Sequence, residues 1–189
     1  ARSFVPNPWR GTNLFQEACW AWRRVPVPVV AAVHGHCYGG GLQIALAADL
    51  RFTTADAQWS VLEAKWGLVP DMSGIQALSQ QVRMDVAKRL TMTGEVVSGE
   101  RAVDLGLASE VHAGPVAAAT AFIEQVATRS PDAVAATKRL FGRTWSSSDR
   151  RTFARERIEQ AKLLATKNTT IAREAAMKRA VPAFDPRRR

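Results

Sequence analysis

An α/β core followed by a wholly helical C-terminal section is the architecture that this sequence predicts. Three observations predict it. Up to about residue 113, short β-branched apolar runs bounded by turn residues alternate with stretches of helical periodicity. From Pro115 onward only helical patterns remain, each with a Pro, Asp, Ser or Thr near its start. Apolar residues make up 47% of the chain, enough to fill the core such an arrangement needs. The expected division is therefore 1–113 for the α/β core and 114–189 for the helical section.

The first 13 residues, with Pro6, Pro8 and Gly11, read as irregular. A helix is expected over 14–23, with Leu14, Ala18 and Trp22 on its inner face. "VPVPVVAAVHG" (25–35) is β-branched, carries its prolines only near the start, and reads as a buried strand. The glycines Gly39, Gly40 and Gly41 then open a helix running to Ala48. "LRFTTADAQWSVLEAKWGLVP" (50–70) predicts a strand, a turn at Ala55–Asp56, a second short strand near Trp59–Leu62, and a loop. Helices fit 74–82, 84–92 and 99–105, the last capped by Ser98 and ended by Gly106. "LASEVH" closes the core as a short strand. Four helices follow: 115–130, 131–145, about Asp149 to Lys167, and 169–181.

Charge is divided along the same line. The net charge is +9, yet residues 1–128 hold ten Lys/Arg against eleven Asp/Glu, while 129–189 hold sixteen against six. Such a basic block suits an anionic partner, a solvated face of amphipathic helices, or both, and it ends in an Arg-rich tail. No apolar run reaches membrane-spanning length, and the N-terminus lacks the apolar centre of a signal peptide. Cys19 and Cys37 are too few for a disulfide framework, which favours a reducing, cytoplasmic setting.

Four groupings could carry chemistry. The glycine cluster is neither a Walker loop, since no Lys-Ser/Thr follows, nor a GxGxxG fingerprint. His34, His36 and Cys37 lack a third and fourth metal ligand, so packed or solvent-facing side chains and no metal are expected. Glu63 and Asp71 flank a turn-rich loop containing Gly67, Pro70 and Gly74, between and beyond Trp59 and Trp66. Two carboxyls in an apolar setting can divide into proton acceptor and proton donor, although ordinary surface acids would look the same. Gly40, in the first turn of its helix, could aim an N–H at a developing oxyanion, or could simply permit close strand–helix packing. Trp59 reads as core, and Trp66 as either core or the wall of an apolar pocket.

Taken together, "PVVAAVHGHCYGGGLQIALAADLRFTTADAQWSVLEAKWGLVPDMSG" and "RLTMTGEVVSGERAVDLGLASEVH" resemble the crotonase superfamily, the enoyl-CoA hydratase/isomerase family. The resemblance runs from about Pro26 to the C-terminus. It implies a crotonase-like spiral of ββα units followed by C-terminal helices that assemble trimers, often stacked as hexamers. It also implies acyl-CoA thioester substrates, with no separate cofactor because coenzyme A is part of the substrate. Gly40 matches one of the two backbone donors that hold the thioester oxygen. Where hydratases of the family carry two glutamates, this chain has Gln43 and Glu63. An amide cannot exchange protons with water at neutral pH, which weakens the hydratase expectation. Glu63 and Asp71 instead match the acid/base pair of dienoyl-CoA isomerases, although those carry Asp where Gln43 stands.

The reading favoured by these residues is a double-bond isomerase. Glu63 removes a proton, Gly40 holds the enolate, Asp71 returns a proton farther along, and Gln43 orients substrate or water. An enoyl-CoA hydratase using Glu63 alone is the second reading. A non-catalytic or RNA-binding crotonase-like protein is the third, and the absence of aromatic RNA-stacking motifs counts against nucleic acid. Some C-terminal Lys/Arg are expected to meet CoA phosphates or a neighbouring subunit. Residues 1–25 hold no counterpart of the family's N-terminal half-domain, so that part and its second oxyanion donor are expected to be missing.

Overall fold

The computed structural model describes residues 2–187, with the side chain of Arg2 left aside; the last two arginines of the Arg-rich tail lie outside the described residues. The chain divides into two compact units. One comprises the chain up to Arg23 together with Val29–Ala119, and the other Arg24–Pro28 together with the residues from Thr120 on.

The first unit is built from strands that leave one sheet and enter another. Helix α1 (Leu14–Arg24) leads to β1 (Val30–Val33), β2 (His36–Tyr38) and α2 (Gly40–Leu46). Strands β3 (Leu50–Thr53) and β4 (Gln58–Ser60) repeat the pattern and run into a 3-10 helix, Leu62–Trp66, and the helices α3 (Gly74–Ser79) and α4 (Met84–Thr93). Strand β5 (Val97–Ser98), α5 (Gly99–Leu105) and β6 (Glu110–Val111) complete it. One sheet has the order β1-β3-β6, all parallel; the other is β2-β4-β5, with β2 and β4 parallel and β5 antiparallel. Parallel neighbours need long connections, and here α2 supplies the one between successive repeats.

Between the elements lies a core that includes Leu42, Leu46, Trp59, Val61, Leu78, Leu90 and Leu107. Trp59 is fully buried, as expected, and its indole N–H donates to Thr53 Oγ1 at 3.1 Å. Trp66 is 69% exposed and is not core.

Helix α2 is secured at its C-terminal end, where unpaired carbonyls attract cations and N–H donors. The Leu46 carbonyl accepts from Gln81 Nε2 at 2.7 Å and from the Arg23 guanidinium at 3.3 Å. Arg51 is buried and donates in two directions, to Ala48 O at 3.0 Å and to Leu107 O at 2.6 Å. Burial pulls the Arg51 guanidinium down to about 10; neighbouring Arg23 adds to this and Asp49 opposes it. It remains charged at neutral pH, and its fork serves both carbonyls.

Three expectations need correction. The inner face of α1 is not Leu14–Ala18–Trp22, since Leu14 and Trp22 are exposed. Cys19 is buried, with Gln16, Trp20 and Arg23 half-buried beside it, and Arg23 sets that face by reaching Leu46 and Gln80. The strand expected over 25–35 is only Val30–Val33 and is half-buried, because Pro26 and Pro28 have no N–H for a ladder. Leu62–Trp66, expected as a strand end and loop, is a 3-10 helix ended by Gly67.

The second unit holds most of α6 (Pro115–Ala127), with α7 (Pro131–Thr144), α8 (Asp149–Leu164) and α9 (Lys167–Lys178). Ser130 and Thr166 cap α7 and α9, accepting from Ala133 N and Thr169 N. Between α7 and α8, the buried Glu159 accepts from Arg139 at 2.6 Å, and Lys162 stands 3.5 Å away. The Arg139 hydrogen bond is the main reason that the Glu159 carboxyl lies below its ordinary range. The last described residues fold back on α9, where Asn168 exchanges hydrogen bonds with Asp185 and also donates to Asp132.

Two outcomes follow for stability. Arg51→Lys, which cannot reach both carbonyls, should cost about 2–3 kcal/mol in urea unfolding. Glu159 titrates lower in the folded protein, so its stabilisation is complete above the ordinary glutamate range. That contribution fades as pH falls through the lowered folded value. Between about pH 6 and about pH 3, the protein should therefore lose more stability than Glu159→Gln does, by thermal unfolding.

Candidate active site

The site begins where β2 and β4 end together. Their parallel register pairs Tyr38 with Ser60, so the two chains leave the sheet side by side. Gly39 follows Tyr38 with φ 50° and ψ −120°, a conformation that side chains other than hydrogen rarely adopt. Its N–H donates to Ser60 O at 3.0 Å, and its carbonyl accepts from Gln43 N at 3.0 Å, which starts α2. A Cβ on Gly39 would lie 3.5 Å from Glu63 Oε1. The glycine turn therefore sets Gly39, at the head of α2, against the Glu63 carboxylate, which stands in the first turn of the 3-10 helix after β4.

From Glu63 the chain returns through a loop. Leu68 N donates to Glu63 O at 3.0 Å, Pro70 is buried, and Asp71 is exposed with no hydrogen bond among the described residues. Met72 Sδ lies 3.1 Å from where a Gly40 Cβ would be. Ser73 takes a left-handed φ of 69°, and Gly74 begins α3.

Gln43 joins these pieces. It is 1% exposed and held by the protein at both ends. Its amide oxygen accepts from Met72 N at 2.8 Å and Gly74 N at 2.9 Å, while its amide nitrogen donates to Glu63 Oε1 at 2.6 Å. The two backbone donors flank Ser73, so one side-chain oxygen pins the strained residue between them. Gly74 is required by proximity, because a Cβ there would stand 2.6 Å from the Gln43 oxygen. The expectation that Gln43 orients substrate or water thus meets a carbonyl end fully engaged by the chain itself.

Of the sequence-predicted residues, the structure brings together Gly40, Gln43 and Glu63. Asp71 joins them through its neighbour Met72, and makes no hydrogen bond to Glu63. Glu63 has one carboxylate oxygen held by Gln43, while Oε2 is buried and without a hydrogen bond. A carboxylate so disposed has one oxygen fixed and one whose lone pairs are unused and can accept a proton. Met72 and Ser73 were not singled out by sequence reasoning, and Gly39 and Gly74 entered it only as turn-makers. Their signal was the turn-prone "DMSG" and the first glycine of the triplet.

His34 and His36 are exposed, while Cys37 is buried and its thiol is pushed up to about 12 by that burial. Such a sulfur stays protonated at neutral pH. Among the described residues no group of three or more His, Cys, Asp or Glu could hold a metal ion.

The profile of the enoyl-CoA hydratase/isomerase family matches residues 12–185. The chain belongs to the enoyl-CoA hydratase/isomerase family. The match starts upstream of Pro26, where the motifs alone begin the resemblance. Among its relatives, the (E)-benzylidenesuccinyl-CoA hydratase of Thauera aromatica is 38% identical over 113 residues, 59% of this chain and 44% of that protein. The peroxisomal Delta(3,5)-Delta(2,4)-dienoyl-CoA isomerase of Arabidopsis thaliana is 34% identical over 138 residues, 71% of this chain and 50% of that protein. The chain thus spans about half the length of the curated relatives it matches. The crystal structure of an enoyl-CoA hydratase from Polaromonas sp. JS666 superposes with a TM-score of 0.85 at 28% identity, covering 90% of this chain and 67% of the other. The paired sheets and intervening helices are accordingly the crotonase fold.

Gly74→Ala should displace either the Gln43 amide or the Met72–Gly74 turn and cost about 1–3 kcal/mol in chemical unfolding. Ser73→Gly, which relaxes the left-handed residue without adding an atom, should unfold no earlier than the parent protein.

Proposed function

We propose that this chain carries the acid/base machinery of an enzyme that moves a double bond in an unsaturated acyl-CoA thioester. The observation that carries the reading is the Glu63 carboxylate, held at Oε1 and left without a partner at a buried Oε2, beside the Gly39–Gly40 turn. Glu63 takes a proton from the acyl chain, and the electron pair left behind spreads through the conjugated system onto the thioester oxygen. The Gly40 N–H stabilises that oxyanion; donors of this kind are worth about 3–4 kcal/mol each. Asp71 is the route by which a proton from solvent reaches a carbon farther along, and Glu63 then releases its proton to solvent, so the double bond shifts with no net change in atoms. The exposed Trp66 at the end of the 3-10 helix, with Leu68 and Val69 in the loop after it, supports an apolar substrate portion. This chemistry needs no separate cofactor.

A second reading, hydration of a 2-enoyl-CoA with Glu63 as the sole carboxylate, is favoured by the likeness to the Thauera hydratase. An assembly of three or six copies belongs to the same proposal, supported by exposed Phe141, Trp145 and Phe153 in the helical unit. So does a cytoplasmic location; no helix among the described residues is long and apolar enough to cross a membrane.

Ultraviolet absorbance with a 3,5-dienoyl-CoA and a 2-enoyl-CoA tests the reading. Growth of a conjugated 2,4-dienoyl signal is expected, and Glu63→Gln should reduce its rate by about 10²–10⁴-fold. Full isomerase activity in Asp71→Asn would remove Asp71 as the proton donor. Consumption of the 2-enoyl substrate alone would establish hydration instead.

A further inference from the structure

We infer that Gln43 is a positioning residue for Glu63, and that its amide decides which Glu63 oxygen takes the proton. The inference rests on the reading of Glu63 as the base. Position 43 faces two demands at once. On one side two backbone N–H groups, from Met72 and Gly74, need an acceptor, and the Gln43 oxygen serves both. On the other side a carboxylate oxygen of Glu63 needs a donor, and the Gln43 nitrogen serves it at 2.6 Å. Of the side chains of this length, the amide offers an acceptor at one atom and a donor at the other at every pH, whereas a glutamic acid does so only while protonated.

An ionised carboxylate at position 43 could still accept from the two backbone groups. It would then present a second negative charge to Glu63, and like charges so close make one group hold its proton. With Gln43 in place, Glu63 Oε1 is tied and Oε2 is left as the accepting atom. The bare Cα of Gly74 seats the amide, since any side chain there would collide with it. The pairing thus converts a two-carboxylate arrangement into a single base with a fixed orientation. It suits transfer of a proton to and from carbon, which needs one base at a time.

The test uses three variants of the full chain: Gln43→Glu, Glu63→Gln, and the exchange Gln43→Glu with Glu63→Gln. The first readout is independent of turnover. The side-chain carboxyl of Glu63, labelled with carbon-13 and identified by its loss in Glu63→Gln, is titrated by NMR without substrate. In Gln43→Glu its midpoint should move to higher pH, by at least about tenfold in proton affinity. An unchanged midpoint overturns the inference, even if neither acyl-CoA is turned over and the reaction reading has failed.

The second readout is kinetic. In Gln43→Glu the acidic limb of the kcat/KM profile should move to higher pH in step with the titration, with KM changed less than kcat. The exchange variant restores a donor and an acceptor to the pair, so it should unfold within a few degrees of the parent. Its only carboxylate of the pair now sits at the buried, fully bonded position 43. Its kcat should therefore fall by about 100-fold or more. Parent-like turnover by the exchange variant would show that the orientation does not matter and would also overturn the inference.

Discussion

Three hydrogen bonds meet at the side chain of Gln43, and the candidate site hangs from that meeting. A buried amide costs free energy unless its oxygen and nitrogen are both engaged. Here the cost is met by groups that would otherwise be unsatisfied themselves: two backbone N–H groups at the start of α3 and one carboxylate oxygen. The loop after the 3-10 helix, the left-handed Ser73 and the orientation of Glu63 therefore share one fastening. A change at any of them is felt by the rest, because all three bonds run to one side chain.

That fastening is useful only if α2 itself stays in place. Its interior residues Leu42, Ala45 and Leu46 are buried, but apolar contact alone is non-directional. Direction comes from the carbonyls at the far end, engaged by Arg51, Arg23 and Gln81. Arg51 comes from β3, Arg23 from α1 and Gln81 from just beyond α3, so three elements hold the end opposite Gly40. The helix is short, and an error at one end would be transmitted to the other with little attenuation.

Much of this was legible from the residues. The glycine triplet, Glu63 and Asp71 stand out because turn-makers and carboxylates in an apolar stretch are unusual, and the Ser98 cap and Gly106 stop follow local rules. Gln43 was legible as a departure from the family pattern. Its partners were not, because backbone N–H groups carry no residue-specific mark and Met72 and Gly74 lie about thirty positions away. Strands β2 and β5 escaped notice since two or three residues show no periodicity. The inward face of α1 was misread because it is set by Arg23 reaching polar atoms, whereas a periodicity argument looks only for apolar stripes.

The order of strands in the two sheets bears on how the protein comes off the ribosome. All the site residues have been made once Gly74 has emerged, yet β3 and β4 each still await an outer neighbour, β6 and β5, that lies more than twenty residues further on. A nascent chain stopped between them would expose two open strand edges beside a half-assembled site. Those edges are closed only by residues made later, so the sheets that carry the site are completed after the site's own residues are present.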